Sequence, residues 1–334
     1  MALTGIQIYK LLPQTNCKEC GFPTCLAFAM KLAAKQVELS ACPYVSEASK
    51  AQLAESSAPP IRLITLKSNG NEVKVGNEVV LFRHEKTFYN KPGLFVAVKD
   101  DQGAEAIRLT VKEMDQYIAN YVGIDLALDG FAVEATGGAG QFAAAVKAVR
   151  SASKKPIILI SHDPDAVKAA LAELPAEAPL ICGADGKNWE AMTDLTKANK
   201  ASLVVSGASL DELAELTEKI RGKGVEDLVL SPQVRGLSSA LAYETQIRRV
   251  ALKKNFRPLG FPVIEFPKTL AAATQAIAKY GGFVVLEAFS PELVYSLLVL
   301  RQNIYTDPQK PIQVQPGVYE INSPKPGKRA AVFC

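Results

Sequence analysis

From Gly93 onward the chain repeats one unit eight times, a short β-rich run followed by an amphipathic helical stretch. The runs are LFVAVKD (94–100), DLALDGFAVEA (125–135), PIILIS (156–161), PLICGA (179–184), ASLVVSG (201–207), DLVLSP (227–232), FPVIEF (261–266) and GFVVLEA (282–288). Between them lie helical segments such as DAVKAALAEL, SLDELAELTEKIRG, SSALAYETQIRRVALKK and PELVYSLLVLRQ. Eight βα units in about 215 residues predict a closed (β/α)8 TIM barrel. A doubly wound open sheet is the alternative, but it usually needs fewer units. No G-x-G-x-x-G follows the first strand, and TGGAGQ after the second is too loose a glycine pattern to claim a nucleotide.

Ahead of the barrel, IRLITLKSNGNEVKVG alternates apolar and polar residues around Asn69-Gly70, a strong hairpin signal. Before that, AESSAPP (54–60) reads as a linker of small residues and proline. The expected division is a cluster domain at 1–53, the linker at 54–60, hairpin and lead-in at 61–92, the barrel at 93–310, and a short further segment at 311–334.

Four of the six cysteines fall within the first 42 residues, at Cys17, Cys20, Cys25 and Cys42, spaced C-x2-C-x4-C-x16-C. The N-terminus lacks the basic and apolar regions of a signal peptide, and no run of about 18 apolar residues exists. That leads to an expectation of a cytoplasmic chain with reduced thiols, which disfavours disulfides. Structural zinc usually pairs two separate knuckles, and only one is present. Three thiolates within nine residues, closed by a distant fourth, suit a loop wrapped around a [4Fe–4S] cluster. Gly21 and Pro23 bend that loop. TCLAFAMKLAAKQVEL then reads as a helix from Thr24, placing Cys25 in a first turn that favours an anionic group. Pro43 stops the chain from continuing helically after Cys42. The fold class is thus α/β, a TIM barrel preceded by a small, mainly helical [4Fe–4S] domain and a β-hairpin.

The net charge of +4 is mild, and no basic stripe is interleaved with aromatics, so nucleic acid is a poor partner. Barrels carry function at the C-terminal strand ends. Those positions hold Asp100, Asp101, Glu134, His162, Asp163, Asp185, Ser206, Ser231, Glu265 and Glu287. They form a polar rim but assemble into no catalytic constellation, so no catalytic residue is assigned. With only His84 and His162, no metal-binding histidine pair is available. Cys182, inside a strand, reads as core.

The string TG-x-x-IYK-x-LP-x-x-NC-x-EC-x-x-PTCLAFAM, followed by Cys42, a linker and a βα barrel, resembles the large (gamma) subunit of the corrinoid/iron–sulfur protein. The resemblance runs along essentially the whole chain. It implies that Cys17, Cys20, Cys25 and Cys42 ligate the [4Fe–4S] cluster. It also implies a base-off corrinoid shared with a small subunit, a methyltetrahydrofolate-dependent methyltransferase as methyl donor, and acetyl-CoA synthase as acceptor. In that family cob(I)amide carries the methyl group of the acetyl-CoA (Wood–Ljungdahl) pathway, and the cluster reduces inactive Co(II) back to Co(I). Family members continue into a C-terminal domain holding most of the corrinoid. This sequence stops at AAVFC, as if entering such a domain, so the corrinoid contacts are expected mainly beyond Cys334. It also lacks a D-x-H-x-x-G corrinoid signature. An electron-transfer adaptor with a docking barrel, and a pterin-binding barrel methyltransferase, are the alternatives.

Overall fold

A computed structural model of the chain describes residues 4–33, 37, 39–47, 49–50, 53, 59–81, 90–234, 236–306, 318–320 and 331–333. At the N-terminus, α1 (Gly5–Leu11) is opened by a capping box between Thr4 and Gln7. It packs against α2 (Cys25–Ala33). Ile8, Leu12, Phe28, Ala29, Val45 and Leu53 form a small core of their own with Cys25 and Cys42. The helix expected from Thr24 is described over Cys25–Ala33, residues 34–36 lie outside the described residues, and Leu39–Ala41 is a 3-10 turn.

The hairpin forms where Asn69-Gly70 predicted it. Strand β1 (Ile64–Ser68) pairs antiparallel with β2 (Asn71–Val75), Ser68 opposite Asn71. Asn69 and Gly70 both take positive φ, 43° and 86°, as a two-residue turn of this hand requires. Ile64, Leu66 and Val75 point into one buried cluster with Phe95, Leu180, Val229 and Phe283. The hairpin is pinned to the entry ends of barrel strands. Ser68 Oγ donates to the Lys154 carbonyl at 3.0 Å, the Ala178 N–H to the Lys67 carbonyl at 3.1 Å, and Arg62 Nε to Asp227 at 2.8 Å. It therefore plugs the N-terminal mouth, and the opposite mouth is left to the loops that follow the strands.

The barrel strand β3 (Gly93–Lys99) leads into α3 (Ala104–Gln116). A second small hairpin, β4 (Ala119–Tyr121) with β5 (Ile124–Leu126), precedes β6 (Gly130–Glu134) and α4 (Ala139–Ala152). There follow β7 (Ile157–Ile160), α5 (Pro164–Ala172), β8 (Leu180–Ala184), α6 (Trp189–Asn199), β9 (Ser202–Gly207) and α7 (Leu210–Gly222). The last units are β10 (Leu228–Pro232), α8 (Leu237–Lys254), β11 (Val263–Glu265), α9 (Leu270–Ala278), β12 (Gly281–Leu286) and α10 (Pro291–Thr306). Strands β3 and β6 to β12 form a closed parallel barrel. Beyond α10, β13 (Val318–Glu320) pairs antiparallel with β14 (Ala331–Phe333).

One expected strand is divided. Of 125–135, only Gly130–Glu134 enters the barrel, while Ile124–Leu126 turns back on Ala119–Tyr121. The break is at Asp129, whose carboxylate accepts the Leu94 N–H at 2.7 Å and meets the buried Arg301 guanidinium from α10. Gly130 then passes where a Cβ would stand 2.2 Å from the Pro156 carbonyl oxygen. The linker residues 54–58 lie outside the described residues, but Pro59 is fixed, its carbonyl accepting Arg257 Nη1 at 2.7 Å.

Candidate metal centre

Residues 12–24 turn from α1 to α2 without regular structure, and their backbone bears on how Cys17, Cys20 and Cys25 are held. Gln14, Asn16 and Lys18 have φ of 56°, 50° and 67°, while Thr15 and Cys17 between them do not reach positive φ. Backbone of alternating hand turns successive N–H groups toward a common side, a concavity that favours anions and recurs at iron–sulfur sites. The Gly21 N–H closes the next turn onto the Lys18 carbonyl at 2.9 Å. Phe22 packs its ring 5.7 Å from that of Phe28, tying the loop to α2. Thr24 Oγ1 accepts the Ala27 N–H at 3.1 Å, so Cys25 is the first residue of the helix, as expected.

Cys42 arrives from the other side, its N–H bonded to the Leu39 carbonyl at the end of the 3-10 turn. Cys25 and Cys42 are buried, Cys20 half-buried and Cys17 exposed. Burial pushes the Cys42 thiol up, a hydrogen bond from the Tyr44 backbone opposes this, and Cys20, Cys25 and Cys17 push it up further. The Cys42 thiol thus lies within electrostatic reach of the other three cysteines. Beside them Tyr44 donates its hydroxyl proton to Glu19 at 2.8 Å, which raises the Tyr44 pKa. Among the described residues no three His, Cys, Asp or Glu side chains could hold a single metal ion. The donors that the loop and the turn before Cys42 carry are four cysteine sulfurs, and the Asn16 N–H donates to one of them, Cys25 Sγ, at 3.4 Å. That chemistry fits a thiolate-ligated iron–sulfur cluster.

The barrel mouth gathers less. Asp100 is buried and occupied, accepting from the Thr136 N–H at 2.9 Å, the Thr136 hydroxyl and Gln141 Nε2. His162 is exposed, its Nδ1 3.6 Å from Asp185 Oδ2. Glu265 leaves the rim altogether. It lies beneath α8 against Glu244, with burial raising both carboxyl pKa values. Cys182 is core as expected, its thiol pushed up to about 12 by burial. His84 lies outside the described residues. The residue that sequence reading missed is Asn16, which brackets Cys25. Its signal was the asparagine itself, the residue besides glycine that most readily takes positive φ.

Residues 63–333 match the family model described as the CO dehydrogenase/acetyl-CoA synthase delta subunit, and residues 12–44 match one described as "Putative Fe-S cluster". Over 332 residues the chain is 42% identical to the corrinoid/iron–sulfur protein large subunit of Moorella thermoacetica, covering 97% of this chain and 74% of that one. The chain belongs to the corrinoid/iron–sulfur large-subunit family. Within that family it is also 34% identical to the acetyl-CoA decarbonylase/synthase complex subunit gamma of Archaeoglobus fulgidus, over 96% of this chain and 74% of the relative. The family's barrel resembles that of 7,8-dihydropteroate synthase from Vibrio fischeri, with a TM-score of 0.51 over 73% of this chain and 100% of that one. At 14% identity that likeness concerns the fold alone. Among the described residues no helix is long and apolar enough to cross a membrane.

Proposed function

We propose that the chain is the large subunit of a corrinoid/iron–sulfur methyl carrier, with Cys17, Cys20, Cys25 and Cys42 as ligands of a [4Fe–4S] cluster. The carrier takes a methyl group from methyltetrahydrofolate through a methyltransferase and hands it to acetyl-CoA synthase, with a small subunit completing it as a heterodimer. Family identity across both module and barrel, joined to a Cys42 thiol that senses Cys17, Cys20 and Cys25, is the observation that carries this reading. When bound, the cluster supplies single electrons and the corrinoid a nucleophilic cobalt.

The chain's own part follows from where its residues sit. The N-terminal end of α2 and the N–H groups of residues 14–18 stabilise negative charge on the thiolates. Cys25 and Cys42 keep one side of the site dry, while exposed Cys17 brings the other to the surface, where an electron can leave for a docked acceptor. Residues 54–60 act as the tether between this module and the barrel. The C-terminal mouth of the barrel faces the corrinoid and the small subunit, because ligands gather at that end of such barrels.

The test is anaerobic purification of the full chain, alone and with its small subunit. About four irons and four sulfides per chain, and a paramagnetic signal on reduction, are expected. Prereduced protein should then convert added Co(II) corrinoid to Co(I). Stoichiometric zinc in protein never exposed to oxygen would refute the cluster. Failure to reduce the corrinoid would leave an electron carrier for another acceptor, and tight pterin binding by the chain alone would point to a barrel methyltransferase instead.

A further inference from the structure

Asn16 makes two hydrogen bonds to one residue nine positions away. Its side-chain Oδ1 accepts the Cys25 N–H at 2.8 Å, and its own backbone N–H donates to Cys25 Sγ at 3.4 Å. The first bond satisfies one of the N–H groups that the start of α2 leaves without an intrahelical partner. The second places a donor on the sulfur that would bind iron. Both depend on the left-handed φ of 50° at Asn16, which most side chains resist and asparagine tolerates.

We propose that Asn16 is a positioning residue for the cluster, a clasp that fixes the direction of the Cys25 thiolate and raises the cluster's reduction potential. The inference rests on the ligand assignment above. One-electron reduction adds negative charge to the cluster and its sulfurs. A donor held against a ligand sulfur therefore stabilises the reduced form more than the oxidised one, and the potential rises. The Asn16 side chain acts at one remove. By holding the Cys25 N–H it keeps its own backbone in the left-handed region, and only there does its N–H meet the sulfur.

Three variants separate the contributions in the full chain, each loaded with iron anaerobically. Asn16→Ala loses the acceptor and disfavours the left-handed φ, so the N–H swings away. Asn16→Gly loses the acceptor but keeps that φ freely accessible. Asn16→Asp keeps both, and its charge alone lowers the potential. Midpoint potentials from spectroelectrochemistry are read beside the exchangeable-proton couplings of the reduced cluster in electron–nuclear double resonance.

Asn16→Ala is expected to retain its iron, lose the strongest exchangeable coupling, and show at least a tenfold higher ratio of oxidised to reduced cluster at the wild-type midpoint. That tenfold change corresponds to about 59 mV for one electron. Asn16→Gly, no longer clasped but free to visit that φ, should keep only part of the coupling and shift the ratio in the same direction but less far. Asn16→Ala with iron, unchanged potential and unchanged coupling overturns the proposal. Should Asn16→Ala fail to hold iron, a wild-type potential in Asn16→Gly overturns it equally. A wild-type chain without iron sinks the ligand assignment itself, a failure seen before any variant is made.

Discussion

The cysteine module and the barrel place their strained backbone in different kinds of position. Among the described residues of the barrel and its hairpins, positive φ at residues other than glycine includes Asn77 after β2 and, in turns or at helix ends, Asn69, Val122, Ala176, Lys200 and Asn255. Asn69 finishes a turn and Lys200 and Asn255 finish helices, and the hydrogen bonds they complete offset their cost. In the module, Gln14, Asn16 and Lys18 take positive φ within five residues and finish nothing. Of the three, Asn16 aims its N–H at a thiol, that of Cys25. Strain of this kind, about 1–3 kcal/mol per residue, persists when something else over-determines the conformation. The barrel has a continuous apolar core to do that, while the module has a handful of apolar side chains and its sulfurs. The difference teaches that the barrel's order is self-sufficient and the module's depends on what its thiols bind.

The largest expected effect separates the two outright. Cys20→Ala should abolish the paramagnetic signal of the reduced cluster and most of the bound iron, while the barrel's unfolding stays within about 0.5 kcal/mol of wild type. Iron analysis beside urea unfolding followed by barrel circular dichroism checks both halves. A barrel that unfolds with the module would break the comparison. The converse change is Leu66→Ala in the plugging hairpin, where a fully buried side chain is lost. It should cost the barrel about 2–5 kcal/mol and leave iron content untouched.

Much of this architecture is legible in local sequence, and what is not has a common cause. Asn69-Gly70 predicts its turn because the left-handed φ is a property of those two residues. The C-x2-C-x4-C spacing marks the segment between α1 and α2 because its three thiols lie within nine residues of one another. The eight βα units show through their alternation. Asp129 could not be read as a strand break, because its partner Arg301 is 172 residues away. Glu265 counted as a rim residue because it ends a strand. Its burial against Glu244 follows from how α8 lies over β11. That the hairpin serves as a plug is likewise settled only by contacts with Lys154, Ala178 and Asp227.

Glu244 sharpens the comparison through pH. Burial first, then the hydrogen bond and charge of Glu265, push its carboxyl up to about 10, with Arg248 opposing. Arg248 itself faces Glu78 at 3.3 Å and the Tyr280 ring at 5.0 Å. A carboxyl raised in the folded state keeps a proton that the unfolded chain has lost. Its favourable share of stability is whole below about pH 4.5 and is lost progressively as pH rises toward about 10. Glu244→Gln, which mimics the protonated form, should raise barrel stability by up to about 3 kcal/mol at pH 7 and flatten its decline between about pH 6 and about pH 9. Urea unfolding across that range measures both. A variant with the wild-type slope would place the shared proton elsewhere.

The smallest effect concerns the one β-branched residue at positive φ among the described residues. Val122 sits at φ 51° in the turn between β4 and β5, followed by Gly123 at φ 77°, the same backbone that Asn69-Gly70 adopts. A β-branched side chain is poorly suited to that region, and Val122 is 83% exposed, so no burial compensates. Val122→Asn should therefore stabilise the barrel by about 1 kcal/mol, and Asn69→Val should destabilise it by a similar amount. Neither is expected to move the cluster's potential, because both turns lie outside the segment that carries the four cysteines. Paired unfolding and potential measurements test the distinction from the module, where relieving strain at Asn16 is expected to shift the potential. If Val122→Asn gains nothing, a contact at that exposed turn must be holding the valine in place, and the barrel too would keep strain in order to bind.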